Sequence, residues 1–147
     1  MARTKSYMLP LNTKAPTFSL PNPVDDSLVS IDKVKGGKGT MVIFMCNHCP
    51  YVLHLLDKIV EATNEIKTWG INTVAISSND IVNYPDDRPE LMKRLASENT
   101  FGFPYLYDET QEVALAYEAA CTPDFYLFDA NLKLVYMEKI VETVPFN

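Results

Sequence analysis

Apolar positions along this chain fall either into short continuous runs or into longer stretches at helical spacing, and the order of the two predicts an α/β architecture. Met41–Met45, read Met-Val-Ile-Phe-Met, is continuously apolar and predicts a strand buried on both faces. From Tyr51 to Trp69 the apolar residues Val52, Leu55, Leu56, Ile59, Val60 and Ile66 recur at helical spacing, and Gly70 closes that helix. Ile71–Ile76 predicts a second strand, so a strand, a helix and a strand follow one another, which implies parallel pairing. Asp87-Arg-Pro-Glu90 places an acid as N-cap, a proline in the first turn and a glutamate three residues on, predicting a helix to about Asn99. Asp108-Glu-Thr-Gln111 repeats that logic ahead of Val113, Ala114 and Tyr117.

The remaining runs predict edges. Thr17–Leu20 and the alternating Leu28–Ile31 read as an N-terminal edge hairpin, and Gly36-Gly-Lys-Gly39 turns the chain into the central strand. That glycine cluster lacks the spacing of a phosphate loop and precedes a strand instead of following one, so it is read as a turn. Phe103–Leu106 is a short extended piece, and Phe125–Phe128 and Leu132–Tyr136 are strands joined by a turn at Asp129-Ala-Asn131. Phe101, Phe103, Tyr105 and Tyr107 recur at strand spacing and are assigned to the core.

Composition narrows the partners. The 147 residues suit a single domain spanning 1–147, long enough to bury a core without staples. A net charge of -6, with no lysine or arginine cluster, offers nothing to a phosphate backbone or an anionic bilayer, so neither nucleic acid nor membrane is expected. The basic start, Met-Ala-Arg-Thr-Lys, leads into no apolar run of signal-peptide length, and the expected location is the cytoplasm. In that reducing compartment the 3 cysteines are not a disulfide scaffold, which leaves catalytic, metal-binding or buried roles for them.

Cys46-Asn-His-Cys49 stands where the central strand hands over to the long helix, with Pro50 near its first turn and a start as early as Cys46 or Asn47. Free amide groups and the positive end of the helix dipole favour an anion there, which singles out Cys46 as the thiolate. A pair at C-x-x-C spacing closes a small ring, so one thiolate attacks a partner disulfide and the other thiol releases the product. His48, between the cysteines, is positioned to stabilise that thiolate, whereas His54 falls on the helix and is structural. Cys121 reads equally as an extra thiol and as a small buried hydrophobe. Cys46, Cys49, Cys121 and His48 together make a soft ligand set for zinc or copper(I), but a second close-spaced pair is missing, so no metal and no cofactor is expected.

Cys46-Asn-His-Cys-Pro-Tyr-Val52, Ser78-Asn-Asp80, Tyr84-Pro85, Phe103-Pro-Tyr-Leu106 and Cys121-Thr-Pro-Asp-Phe125 resemble thioredoxin-like proteins of the alkyl hydroperoxide reductase and thiol-specific antioxidant family, over about residues 10 to 136. The resemblance implies a thioredoxin-like fold: a central mixed sheet flanked by helices, here with an N-terminal hairpin and a shortened C-terminus. It makes Cys46 the attacking and Cys49 the resolving cysteine, brings Cys121 near them, and makes Thr122-Pro123 the cis-proline loop that faces substrate. It also implies a disulfide-containing protein or small disulfide as substrate and an electron donor of thioredoxin or glutathione type. Thioredoxins carry a tryptophan just before the first cysteine and a buried aspartate six residues ahead of it; Met45 and Thr40 stand there instead. Asp80, Asp86 and Asp87 are the acids at hand in the apparent insertion of residues 77 to 104, but their capping and turn contexts assign them to solvent. A peroxidase is the alternative activity, although the P-x-x-x-[ST]-x-x-C pattern fails: Ile43 and Gly39 precede Cys46 at the required spacings, and Cys46 and Val42 precede Cys49. The short C-terminus predicts a partly uncovered sheet face and, through it, a homodimer.

Overall fold

The computed structural model describes residues 9–119 and 123–139. In chain order its elements are strands β1 (Ser19–Asn22) and β2 (Ser27–Ser30), helix α1 (Ile31–Val34), β3 (Gly39–Phe44), α2 (Pro50–Lys67), β4 (Ile71–Ser77), α3 (Pro89–Glu98), β5 (Tyr105–Tyr107), α4 (Glu112–Tyr117), β6 (Asp124–Asp129) and β7 (Leu134–Lys139). A 3-10 turn, Pro85–Asp87, precedes α3. The main sheet runs β5-β4-β3-β6-β7, with β3, β4 and β5 parallel and β6 and β7 antiparallel to their neighbours, while β1 and β2 form the expected hairpin apart from it.

Alternation within β3 explains the two cores. Val42 and Phe44 point to one face, where they meet Tyr117, Tyr126, Phe128 and the hairpin residue Val29. Ile43 and Met45 point to the other and pack with Val52, Leu56 and Ile59 of α2, Met92 of α3, and Phe103 and Tyr105. A strand buried on both faces has no polar side to present, which is why Met41–Met45 reads as an unbroken apolar run. The aromatic series Phe103, Tyr105 and Tyr107 is buried as expected.

Local chemistry sets the ends of α2. Pro50 occupies its first turn, where a missing N-H is harmless, and Cys49 is the N-cap; at the far end Gly70 takes φ 89°. The turn before β3 is equally specific: a Cβ on Gly36 would lie 2.4 Å from the Gly39 carbonyl oxygen and 2.5 Å from that of Gly70. Thr40, at the place of the thioredoxin aspartate, is buried, and its hydroxyl accepts the Gly36 amide at 3.1 Å. It completes a turn and handles no proton.

The antiparallel end of the α2 face is thinly covered. Phe125 and Leu127 are half-buried, and Tyr136, opposite Leu127, is 53% exposed, with no helix over them among the described residues. No helix among those residues is long and apolar enough to cross a membrane.

Candidate active site

β3, β4 and β5 all end at one edge of the sheet, and each loop that leaves this edge brings polar side chains to it. From β3 come Cys46, Asn47, His48 and Cys49; from β4 come Ser78, Asn79 and the turn to Asp87; from β5 comes Asp108. Such a carboxyl edge is where open α/β sheets build their sites, because loops diverge there and leave backbone groups unpaired.

The helix begins later than its sequence suggests. With α2 starting at Pro50, its dipole and first free amides fall on Cys49, not on Cys46, so the sequence argument that ionises Cys46 through the helix terminus does not hold. Burial pushes the Cys49 thiol up, the Val52 amide opposes it, charge on Cys46 raises it further, the Tyr51 amide again opposes, and the hydrogen bond to the Cys46 side chain adds to the rise. That balance keeps Cys49 a neutral thiol beside Cys46. Cys46 and Cys49 stand as thiols, not joined in a disulfide. Cys46 is only 1% exposed and Cys49 is half-buried. Exposure therefore favours Cys49 as the first sulfur to meet a partner, whereas its raised thiol disfavours it as the thiolate.

What Cys46 has beside it is a histidine and an acid. The Cys46 sulfur, a donor atom of His48 and a carboxylate oxygen of Asp87 lie within 4.8 Å of one another. Asp87, 0% exposed, overturns its assignment to solvent, and it is not the N-cap of α3 either: Arg88 takes that place. Its Oδ1 accepts the amides of Asn47 at 2.7 Å and His48 at 3.1 Å. Its Oδ2 accepts Nδ1 of His48 at 2.6 Å and Nδ2 of Asn79 at 2.7 Å. The imidazole also stacks on Tyr84, with ring centroids 4.8 Å apart and planes 5° from parallel. Asn47 joins the same two loops by donating to the Asp86 carbonyl at 3.0 Å and accepting from the Tyr105 hydroxyl at 2.9 Å. Asp80 and Asp86 are exposed, as expected, and Asp80 merely organises its own turn through the Val82 amide and the Asn83 side chain.

Asp108, likewise read as a cap, is buried: its Oδ2 accepts the Ser78 hydroxyl at 2.7 Å and the Ala114 amide at 2.9 Å. It caps α4 from six residues ahead, while Gln111 occupies the N-cap in a left-handed conformation. His54 sits exposed on α2. Pro123 is buried next to Asp124, which pairs with Phe44 two residues before Cys46, so the chain returns to the cysteine loop there. Cys121, Thr122 and the peptide bond between Thr122 and Pro123 lie outside the described residues, and the expected extra thiol and cis bond with them. An open groove beside His48 is lined by Leu53, Asp86, Leu91 and Arg94.

The donor cluster does not fit a metal as it stands. Each Asp87 oxygen already accepts two N-H groups, and the 2.6 Å approach of His48 is a hydrogen bond with no room for an ion between the partners.

The family model described as AhpC/TSA matches residues 11–137, nearly all of the described chain. The chain belongs to the AhpC/TSA family. Members of this family with a thioredoxin-like fold are oxidoreductases. An uncharacterized conserved protein from Geobacillus kaustophilus is 49% identical, with a TM-score of 0.88 over 95% of this chain and 74% of that one. A hypothetical protein from Sinorhizobium meliloti is 34% identical, with a TM-score of 0.86 over 95% of this chain and 75% of that one. The thioredoxin domain of a thiol-disulfide oxidoreductase from Bacteroides vulgatus shares the fold at 21% identity, with a TM-score of 0.73 over 89% of each chain. No curated protein matches. This AhpC/TSA chain thus has the thioredoxin-like architecture that its sequence resembles, with Asp87 supplied from the β4–α3 connection where Thr40 supplies none.

Proposed function

We propose that this AhpC/TSA protein is a thiol-disulfide oxidoreductase that cycles Cys46 and Cys49 between dithiol and disulfide. The observation that carries the reading is the placement of the Cys46 and Cys49 thiols side by side at the carboxyl edge of the parallel strands. In the forward half-reaction the Cys46 thiolate attacks a partner disulfide, forming a mixed disulfide and expelling one partner thiolate, which takes up a proton. Cys49 then loses its proton, attacks the Cys46 sulfur and expels the second partner thiol. Two electrons and two protons have passed to the substrate, and a dithiol donor of thioredoxin type, or two molecules of glutathione, returns them. His48 adjusts the Cys46 thiolate, and the groove along Leu53, Leu91 and Arg94 has room for the chain that carries the substrate disulfide. A cytoplasmic setting suits this direction, because its glutathione pool keeps such a couple reduced.

Equilibration with glutathione buffers, followed by alkylation and peptide mass spectrometry, tests the assignment. The expected result is one couple, Cys46 with Cys49, titrating as a two-electron unit. Absence of that couple, with Cys46 overoxidised by hydroperoxide or with metal retained on the thiols, replaces the exchange reading by the peroxidase or the metal-binding one.

A further inference from the structure

The site holds a group that exchange through two cysteines does not by itself require. Asp87 is a fully buried carboxylate carried on a connection separate from the cysteine loop, and it spends both oxygens on that loop and on Asn79. A carboxylate oxygen can only accept, so the imidazole nitrogen 2.6 Å from it carries the proton. The Asn79 amide, which can only donate through its nitrogen, occupies the same Oδ2 and supports that reading. The ring has little freedom to turn, because Tyr84 lies flat against it and the His48 amide is bound to the other oxygen of the same carboxylate. Nε2 is then the ring nitrogen left for chemistry.

We propose that Asp87 is the positioning residue of this site: it binds the Nδ1 proton of His48 and the two amides of the cysteine loop, presenting the imidazole to Cys46 in one tautomer and favouring the dithiol state. This rests on the thiol-exchange reading and adds to it a proton inventory. The Cys46 sulfur lies within 4.8 Å of a ring nitrogen of His48; with Nδ1 engaged by Asp87, the ring takes the Cys46 proton on Nε2 and, as imidazolium, accompanies the thiolate that remains. The oxidised protein, with Cys46 bonded to Cys49, offers no charge for that donor to meet, so the contact stabilises the reduced side of the couple.

Asp87→Asn isolates this role. The amide carbonyl still accepts both backbone amides, so the loop stays pinned, but its NH2 now faces Nδ1 and Asn79 and reverses the tautomer. Expected in a glutathione titration is a shift of about tenfold in the exchange constant toward disulfide, a potential lower by about 30 mV. His48→Ala shifts the constant the same way, and Asp87→Asn added to His48→Ala moves it by no more than about twofold. Equal shifts in both backgrounds assign Asp87 a purely structural role and overturn the proposal. So that the outcome does not depend on a variant that folds, long-range 1H–15N correlation of the His48 ring in the reduced wild-type protein reads the tautomer directly: protonated Nδ1 is expected, and a neutral ring protonated on Nε2 refutes it. If the wild-type protein forms no Cys46–Cys49 couple, the exchange reading itself fails, which the same titration separates from additive behaviour of the two substitutions.

Discussion

Removing the Asp87 carboxylate tests how far the site is tied to the fold. In Asp87→Ala the acceptor of four N-H groups disappears. The Asn47 amide is buried and, left unpaired, costs about 1–3 kcal/mol; the amide and ring nitrogen of His48 and the Asn79 side chain are part-buried, recover some bonding from water, and cost less apiece. Together they give a destabilisation of about 3–5 kcal/mol, the range found when one partner of a buried charged pair is deleted. Asp87→Asn, which keeps an acceptor for the two backbone amides, should cost about 1–2 kcal/mol. Asp86→Ala is the control: its side chain is exposed, and the contact it makes to Asn47 uses the backbone carbonyl, which the substitution leaves in place. Urea unfolding followed by circular dichroism measures all three, and with a slope of about 2 kcal/mol/M the Asp87→Ala midpoint falls by about 2 M while the Asp86→Ala midpoint barely moves. A cost below about 1 kcal/mol for Asp87→Ala, at unchanged slope, would show that the four contacts are not made in solution and would remove the basis for placing His48.

Other consequences follow from particular contacts. Because the Cys49 thiol is raised above its ordinary value of 9.0, its thiolate fraction at neutral pH is small. Release of a preformed mixed disulfide on Cys46 should therefore speed up about tenfold per pH unit from pH 7 and still be rising at pH 9, in stopped-flow measurements; a plateau below pH 8 contradicts the assignment of Cys49 as the resolving thiol. Asp108→Ala removes the cap of α4 and strands the Ser78 hydroxyl, so thermal unfolding should show a loss of about 1–3 kcal/mol, with the glutathione exchange constant unchanged because the residue touches neither cysteine loop nor histidine. Light scattering at tens of micromolar should give a dimer mass if the strip of Phe125, Leu127 and Tyr136 is covered by a second copy, and a monomer mass sinks that arrangement.

Hydrophobic period carried most of the architecture. The unbroken Met41–Met45 run, the helical spacing of Val52, Leu56 and Ile59, and the strand run Phe125–Phe128 are local consequences of which faces each element buries, and each falls in the element expected of it. Boundaries moved where a competing local group intervened. The hairpin strand expected at Thr17–Leu20 starts at Ser19 and continues through Pro21, and the helix after the cysteines waits for Pro50. Asp87 and Asp108 were legible as acids ahead of helices, and that is the right sequence statistic, but neither spends its oxygens as an N-cap in the ordinary position.

The sequence by itself determined the chemistry available to this protein: a C-x-x-C pair at the end of a buried strand, a histidine between the cysteines, and a family pattern that extends to the Thr-Pro segment. Only the tertiary structure decided which acid serves that pair. Asp80, Asp86 and Asp87 are near neighbours in one turn with similar local contexts, and nothing within a few residues of them separates one from the others. The separation comes from packing β4 beside β3, which places the 79–87 connection against the cysteine loop 40 positions away in sequence from Asn47. Burial then selects the one carboxylate that can satisfy all of the donors it covers, because a charge removed from water persists only where its hydrogen bonds are replaced.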